Sequence, residues 1–425
     1  NENVPESKNS GLMGNLSCTH TSKNNVNKSD NKIVIAGSGP AGLFAALTLV
    51  NNGLAPVIIE RGSEVSKRIR DVNLFWGSGL LNPKSNVQFG EGGAGTFSDG
   101  KLTSGIKSPY CRKVLETFVQ SGASSDILIS SKPHIGTDIL RKVVVNIRKY
   151  LISKGARFYF ETRLSDIKTC DGTLEGIYLE SVDDFEKKTV KFMPADTLIL
   201  ATGHSARDTF SMLYNCGVRM ISKPFSMGVR VEHKQKDINL SRYGMQNPKI
   251  NEMLPSADYK LSCHLPNGRS VYSFCMCPGG MVIASSSSEE QVVTNGMSYH
   301  KRDMDNANSA ILVNILPQDF ACNKFMNNSS DLHEESPLNG IKFQEYFEEK
   351  AFKAGGGNYF APVQYLGSFL GEKATGNFSD TVPSYMPGIK ENSFEEILPS
   401  FILESLKLAF PIFNNKINGF SSPGA

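Results

Sequence analysis

Apolar residues along the chain fall into strand-like and helix-like blocks that alternate. Ile33-Val34-Ile35-Ala36 is short, continuous and largely β-branched, which predicts a strand buried on both faces. Leu43, Ala46, Leu47 and Val50 then recur at helical spacing, and Gly53 sits where a helix C-cap is expected. Pro56-Val57-Ile58-Ile59 repeats the strand pattern. A longer helix is predicted over 137–153, where Ile139, Leu140, Val143, Val144, Ile147, Tyr150 and Leu151 share a face. Thr137 or Asp138 is placed to cap it and Gly155 to close it. Arg157 to Thr162 alternate as a strand, and Gly176 to Glu180 with Thr189 to Phe192 predict a small antiparallel excursion around the charged turn 183–188. Thr197-Leu198-Ile199-Leu200 returns to a fully buried strand, followed by a helix that Ser205 caps and Gly217 ends.

The character changes near Lys223. Val229 to His233, Tyr259 to Ser262, Val271 to Phe274 and Met281 to Ala284 read as sheet strands, so 223–390 is expected to be a separate mixed α+β substrate or cap domain. Within it, 321–336 is polar and Asn-rich, as a surface insertion is. Ser393-Phe394-Glu395-Glu396 reads as a capping box for a last helix bearing Ile402, Leu406 and Phe410, expected to return over 391–425 to the first domain. Residues 1–31 are rich in Asn, Ser and Lys without apolar period and read as a disordered leader. The chain starts without methionine, so its true N-terminus is expected upstream.

The chemistry centres on the link between the first strand and helix. Gly37-Ser38-Gly39-Pro40-Ala41-Gly42 is a G-x-G-x-x-G turn, and Glu60 ends the second strand 23 residues after Gly37. In this arrangement the first glycine permits the tight turn, the second admits a pyrophosphate to the backbone, and the third lets helix and strand pack closely. The helix N-terminus faces the phosphates and the carboxylate accepts hydrogen bonds from a ribose diol. Strand, turn, helix, strand and acid in register predict an α/β, Rossmann-type dinucleotide-binding domain over 32–222. Gly90, Gly92 and Gly95 spell the same motif again, but without a buried strand before or an apolar helix after; that stretch is read as backbone packed on something flat or anionic, such as a flavin, or as a flexible loop.

Composition narrows the alternatives. Lys+Arg 45 against Asp+Glu 42 creates no general field for nucleic acid, and no apolar run is long enough to span a bilayer. The cysteines form no zinc-type C-x-x-C pairs, so no metal site is expected and a reducing compartment is favoured.

Several strings together resemble a glutathione-reductase-like class and, more narrowly, a family of FAD-dependent dehydrogenases from bacteria and plastid-bearing organisms. They are Phe89-Gly90-Glu91-Gly92-Gly93-Ala94-Gly95-Thr96-Phe97-Ser98-Asp99-Gly100-Lys101-Leu102, Ala201-Thr202-Gly203-His204-Ser205-Ala206-Arg207-Asp208, Ser273-Phe274-Cys275-Met276-Cys277-Pro278-Gly279-Gly280 and Ala354-Gly355-Gly356-Gly357-Asn358-Tyr359. The resemblance implies FAD as cofactor, with NAD(P)H at most a transient donor. It places the pyrophosphate on the turn Gly37, Ser38, Gly39, Pro40, Ala41 and Gly42, the ribose on Glu60 and adenine against the backbone at Leu164, with Arg61 a further cofactor-binding residue. Gly95 and Thr96 would lie near the flavin or ribityl chain, and Thr202 and Gly203 would line the cofactor. Family members usually carry a further N-terminal domain and a last Gly-rich segment closing over the flavin, so the resemblance implies either that the sequence is truncated or that this copy has lost part of the flavin pocket. The implied partner is a small-molecule substrate or an electron carrier, in the cytosol, or in a plastid if a longer precursor exists.

Candidate reactive groups each have a plain alternative. Lys101 could stabilise reduced flavin or form a loop salt bridge. His204 could carry a proton or be satisfied at a helix start. Cys275 and Cys277, on one face of a strand, could pass electrons as a dithiol or be small buried hydrophobes. His134 and His233 read as structural, and Glu289 with Glu290 as a solvated turn. The reading is an FAD-dependent oxidoreductase; a non-catalytic flavin-binding protein and a flavin monooxygenase are the alternatives.

Overall fold

The computed structural model describes residues 32–181, 189–244, 253–321, 336–372 and 381–425. The leader, the turn 183–188 and most of the insertion at 321–336 lie outside them. The N-terminal half is built on β1 (Ile33–Ala36), β2 (Val57–Ile59), β3 (Arg157–Tyr159), the antiparallel β4 (Thr162–Cys170), β5 (Thr173–Ser181) and β6 (Val190–Pro194), and β7 (Thr197–Leu200). A parallel sheet runs in the order β3-β2-β1-β7, as the alternating blocks predict, and β4-β5-β6 form a separate sheet.

Side-chain alternation sorts the layers. Ile35 and Ile58 face α1 (Pro40–Asn51) and the helix α4 (Thr137–Ser153), burying Leu43, Leu47, Val143 and Val144. Val34, Val57 and Ile59 face the other way onto Leu164, Ile177 and Leu179 of β4-β5. The expected full burial of β7 is not observed: it is the edge strand, and Leu200 is 46% exposed. Between β2 and β3 lie two further helices, α2 (Val65–Ser78) and α3 (Pro109–Gln120). Of these, α2 occupies a stretch that reads as merely polar and basic.

The C-terminal half carries the antiparallel sheet β8-β13-β10-β9 and the hairpin β11-β12. Its strands are β8 (Phe225–Lys234), β9 (Ser262–His264), β10 (Ser270–Cys277), β11 (Met281–Ala284), β12 (Thr294–Met297) and β13 (Asn306–Ile315). Tyr259 to Leu261, expected in a strand, precede β9. The last helix, Ser400–Asn414, packs Ile402, Leu406, Phe410 and Phe413 against Val231, Val271, Ile311 and Val313. The expectation that it returns to the first domain is therefore corrected. Its apolar face matches the second sheet, and each buried Phe there contributes about 1.5–3 kcal/mol. The Ser393 hydroxyl accepts from Glu395 N at 3.3 Å, capping a short 3₁₀ turn, and the helix itself begins only after Pro399. Two other expected caps are also replaced by backbone: Gly136 precedes α4, and Ala206 precedes α5 (Arg207–Asn215), neither with a side-chain cap.

The halves meet through buried and half-buried polar contacts. Trp76 Nε1 donates to Ala284 O at 2.9 Å, and Arg207 makes two parallel bonds to Glu348, at 2.8 and 2.7 Å. Among the described residues no helix is long and apolar enough to cross a membrane.

Two histidines serve the fold, as expected. His134 Nε2 donates to Asp99 O at 2.6 Å, and His233 Nε2 donates to Phe420 O at 2.8 Å. Burial, with Arg302 adding to it, takes His134 down to about 4; burial also lowers His233. Both rings are neutral when folded, so the unfolded chain takes up protons first on acidification. Stability should be full above the ordinary histidine value of 6.5 and fall towards pH 4, by about 1.4 kcal/mol per pH unit for each proton bound only on unfolding. Urea unfolding at stepped pH checks this, and His134→Gln should flatten the slope.

Candidate functional site: a dinucleotide cleft

The ends of β1, β2 and β7 are drawn together around Gly37. Its N–H donates to Ile59 O at 2.8 Å, and Ala201 N donates to Ala36 O at 2.8 Å. Gly37 has φ of +107°, and a Cβ there would lie 2.3 Å from Ala201 O, so no other residue fits. Beyond it opens a cleft of about 600 Å³. Its floor includes Gly37, Gly39, Pro40 and Ala41, and its walls include Glu60, Arg61, Phe89, Gly93, Gly95, Leu164, Thr202, Gly203 and His204.

The start of α1 faces this space without a side-chain cap and without an acid in its first turn. Its first N–H groups have no carbonyl within the helix, and Pro40 at N1 is preorganised for the turn. An uncapped, positively polarised helix end lining a cleft suits a phosphate group. The opposite wall comes equally close: a Cβ on Gly93 would sit 3.0 Å from the Gly39 Cα.

Glu60 is 6% exposed and accepts from four protein donors. Its Oε2 takes Ser38 N and Ser38 Oγ, both at 2.8 Å, and its Oε1 takes Gly62 N at 2.9 Å and Gly90 N at 3.1 Å. The carboxylate expected to meet a ribose therefore also ties together the turn after β1, the turn after β2 and the glycine loop. Arg68 of α2 supports that loop from beneath. It is wholly buried and donates to Asn86 O at 2.8 Å, Val87 O at 2.9 Å and Glu91 O at 2.6 Å. Burial lowers it to about 10, against the pull of Glu60 and Glu91, so it stays cationic at neutral pH. Glu91 is also buried, accepting from Val65 N at 2.8 Å and pairing with Arg148 at 2.9 Å.

Arg61 lies at the other end of the cleft, its guanidinium 4.4 Å from the Phe89 ring centroid and 2.7 Å from Asp208. Against the upward pull of burial, Arg61 and Arg163 hold the Asp208 carboxyl below its usual range. His204 stands at the open side, its Nδ1 2.7 Å from Ser205 Oγ.

Most of the sequence-derived positions converge here, with exceptions. Ser38 and Thr96 are buried and turned inward, towards Glu60 and towards Glu91 O respectively. Gly42 lies beneath the turn, where a Cβ would be 1.9 Å from Gly37 O. Lys101 is off the cleft; its Nζ lies 3.1 Å from Asp99 Oδ2, the loop salt bridge that was the plainer alternative. Cys275 is on β10 in the second sheet, also off the cleft. Sequence reasoning missed Gln88, Phe89, Phe210, Leu213 and Arg68. A signal for Arg68 exists: Val65, Val72, Phe75 and Trp76 set a buried helical face on which it falls.

Residues 224–425 match the family model described as FAD-dependent protein, C-terminal domain-like. Over 393 residues the chain is 45% identical to an uncharacterised protein of Clostridium beijerinckii, covering 92% of this chain and 69% of that one. The chain belongs to this FAD-dependent protein family. FAD is its cofactor. Solved structures with similarity include the glycerol-3-phosphate dehydrogenase from Bacillus halodurans complexed with FAD (11% identity, TM-score 0.32, 67% of this chain and 48% of that one). A flavoprotein/dehydrogenase from Cytophaga hutchinsonii gives 13% identity and TM-score 0.33, over 68% of this chain and 56% of that one. The chain thus spans about half the length of these two structures.

Glu60→Gln tests the tie between the turns. It keeps the shape but points an amide N–H₂ at buried donors, and should cost about 2–4 kcal/mol of stability. Urea unfolding of the ligand-free chain measures it.

Proposed function

We propose that the chain holds FAD extended along this cleft and is a dehydrogenase-type oxidoreductase acting on a small molecule or an electron carrier. The observation that carries the reading is the uncapped start of α1, lining the cleft where three parallel strand ends meet. In this reading the backbone at Gly39 and Ala41 receives the pyrophosphate. Glu60 receives the adenosine ribose as the Ser38 hydroxyl rotates away, and Arg61 flanks it. Leu164 packs against adenine. Gly95, Thr202 and Gly203 border the flavin end, where His204 is the group placed to hold or pass a proton. Residues 32–222 form the cofactor domain, and those beyond 223 form the domain that covers substrate. When bound, FAD supplies the two-electron chemistry, so the protein's part is orientation, electrostatic tuning and exclusion of water. The six described free cysteines favour a reducing compartment.

Gly39→Ala separates cofactor binding from folding. The nearest atom to the new Cβ is Gly93 Cα at 3.6 Å, so the ligand-free variant should melt as the wild type does. The methyl group enters the space assigned to the pyrophosphate, and FAD retention through gel filtration should fall at least ~10-fold, about 1.4 kcal/mol or more. Equal retention by both proteins would refute the placement. Anaerobic bleaching of bound flavin by NADH or NADPH then tests whether a nicotinamide is the donor.

A further inference from the structure

The second sheet contains a group of reactive side chains that the cleft does not use. In a straight strand, residues two apart have Cα atoms about 6.6 Å apart, and their parallel Cβ vectors do not converge to the ~3.5–4.5 Å that a disulfide requires. Here β10 departs from that geometry. Its pairing with β13 slips between Phe274 and Cys277, so Phe274 lies opposite Ala310 and Cys277 opposite Asn308. Cys275 sits in the bulge with φ of +46°, a left-handed conformation unusual for a residue with a side chain. Across the bulge the Cys277 thiol donates to Cys275 O at 3.3 Å, which sets it beside the preceding cysteine.

The surroundings differ for the two thiols. Cys275 is half-buried, beside Phe274, which is 59% exposed, whereas Cys277 is fully buried. Arg230 of β8 reaches over the bulge, donating to Asn308 Oδ1 at 2.7 Å and to Cys275 O at 3.4 Å. The charges of Lys101 and Asp99, paired with each other in the glycine-loop segment, also act on Cys275. The hydrogen bond from Cys277 lowers Cys275 to about 7, with Arg230 and Lys101 helping against burial and Asp99. Burial raises Cys277 well above its ordinary value. One thiol is thus a nucleophile at neutral pH, and its neighbour is protonated and in reach. Backbone strain of this kind is commonly retained where it positions reacting groups.

We propose that Cys275 and Cys277 form a dithiol centre that reduces small-molecule disulfides, with Cys275 as the attacking thiol and Cys277 as the resolving thiol. The Cys275 thiolate attacks one sulfur of the substrate, the substrate S–S bond breaks, and the first half leaves as a thiolate. Cys277 then attacks Cys275 Sγ and displaces the second half, its own proton passing to a departing thiolate and the other proton coming from solvent. The dithiol is oxidised by two electrons to the Cys275–Cys277 disulfide, and the substrate is reduced to two thiols. A half-buried thiol admits a small disulfide more readily than one fixed on a folded surface. Both thiols and Arg230 lie on the second sheet, off the cleft, so the proposal stands or falls separately from FAD binding.

The test uses the pre-reduced full chain and dithiodipyridine as the probe disulfide, with thiopyridone release followed by absorbance and the products mapped by peptide mass spectrometry. Above the release from the other cysteines, of which Cys170 and Cys216 are exposed, the wild type should rapidly release two further equivalents and yield a peptide with an internal Cys275–Cys277 disulfide. Cys277→Ser should release one equivalent fewer than the wild type and retain a mixed disulfide on Cys275, and in Cys275→Ser the reaction at Cys277 should slow at least ~10-fold. Independently of any variant, alkylation of wild-type Cys275 by iodoacetamide should reach half its limiting rate near pH 7, rather than at about 8.5 as for an ordinary thiol. A mixed disulfide that persists on wild-type Cys275, or a Cys275 that reacts no faster than Cys263, would overturn the proposal.

Discussion

The cleft depends on one buried carboxylate. Removing an ion from water costs several kcal/mol, so a buried charge persists only when its hydrogen-bonding capacity is filled. Glu60 meets that condition with four donors drawn from three separate turns. Arg68 satisfies the complementary condition a short way off, with three backbone carbonyls on its guanidinium. The anion gathers N–H groups and the cation gathers carbonyls, and between them they fix a loop that has little secondary structure of its own. That loop forms the wall opposite the start of α1. A glycine-rich segment would otherwise retain too much conformational freedom to hold a preformed surface.

Local sequence was a good guide where one interaction dominates. The βαβ core was legible because buried strands, helical spacing and the positions of Gly37, Gly39, Gly42 and Glu60 all agree. The antiparallel excursion β4-β5-β6 was visible for the same reason, in its alternation around a charged turn. What could not be read were choices settled between distant segments. The final helix has an apolar face that would suit either domain, and only the complementary face of β8, β10 and β13 decides it. Lys101 looked like a flavin partner from its place after the glycines, but Asp99 two residues earlier captures it. Cys275 and Cys277 share a face by simple alternation, whereas the bulge that defines their relation comes from pairing with β13. Ser205 and the pair Thr137 and Asp138 were plausible caps, yet backbone residues precede both helices and Asp138 instead accepts from His300 N at 3.1 Å.

That last contact belongs to the seam between the halves, with Trp76 on Ala284 O and Arg207 on Glu348. Each is a directional polar contact spanning more than a hundred residues of sequence. Together they set the second sheet against the elements that frame the cleft. Arg207 opens α5, the helix whose Phe210 and Leu213 line the cleft wall, so the latch to Glu348 bears on the site itself. The two halves are thereby joined close to the cleft.

The most direct test of the account is the melting temperature of the ligand-free chain with added FAD, ADP or FMN, each at equal concentration. In the proposed placement, the turn after β1 and Glu60 take the adenosine diphosphate half of the cofactor. FAD and ADP should therefore both raise the melting temperature, FAD more, while FMN leaves it unchanged. Stabilisation by FMN with none by ADP would contradict the assignment of the cleft.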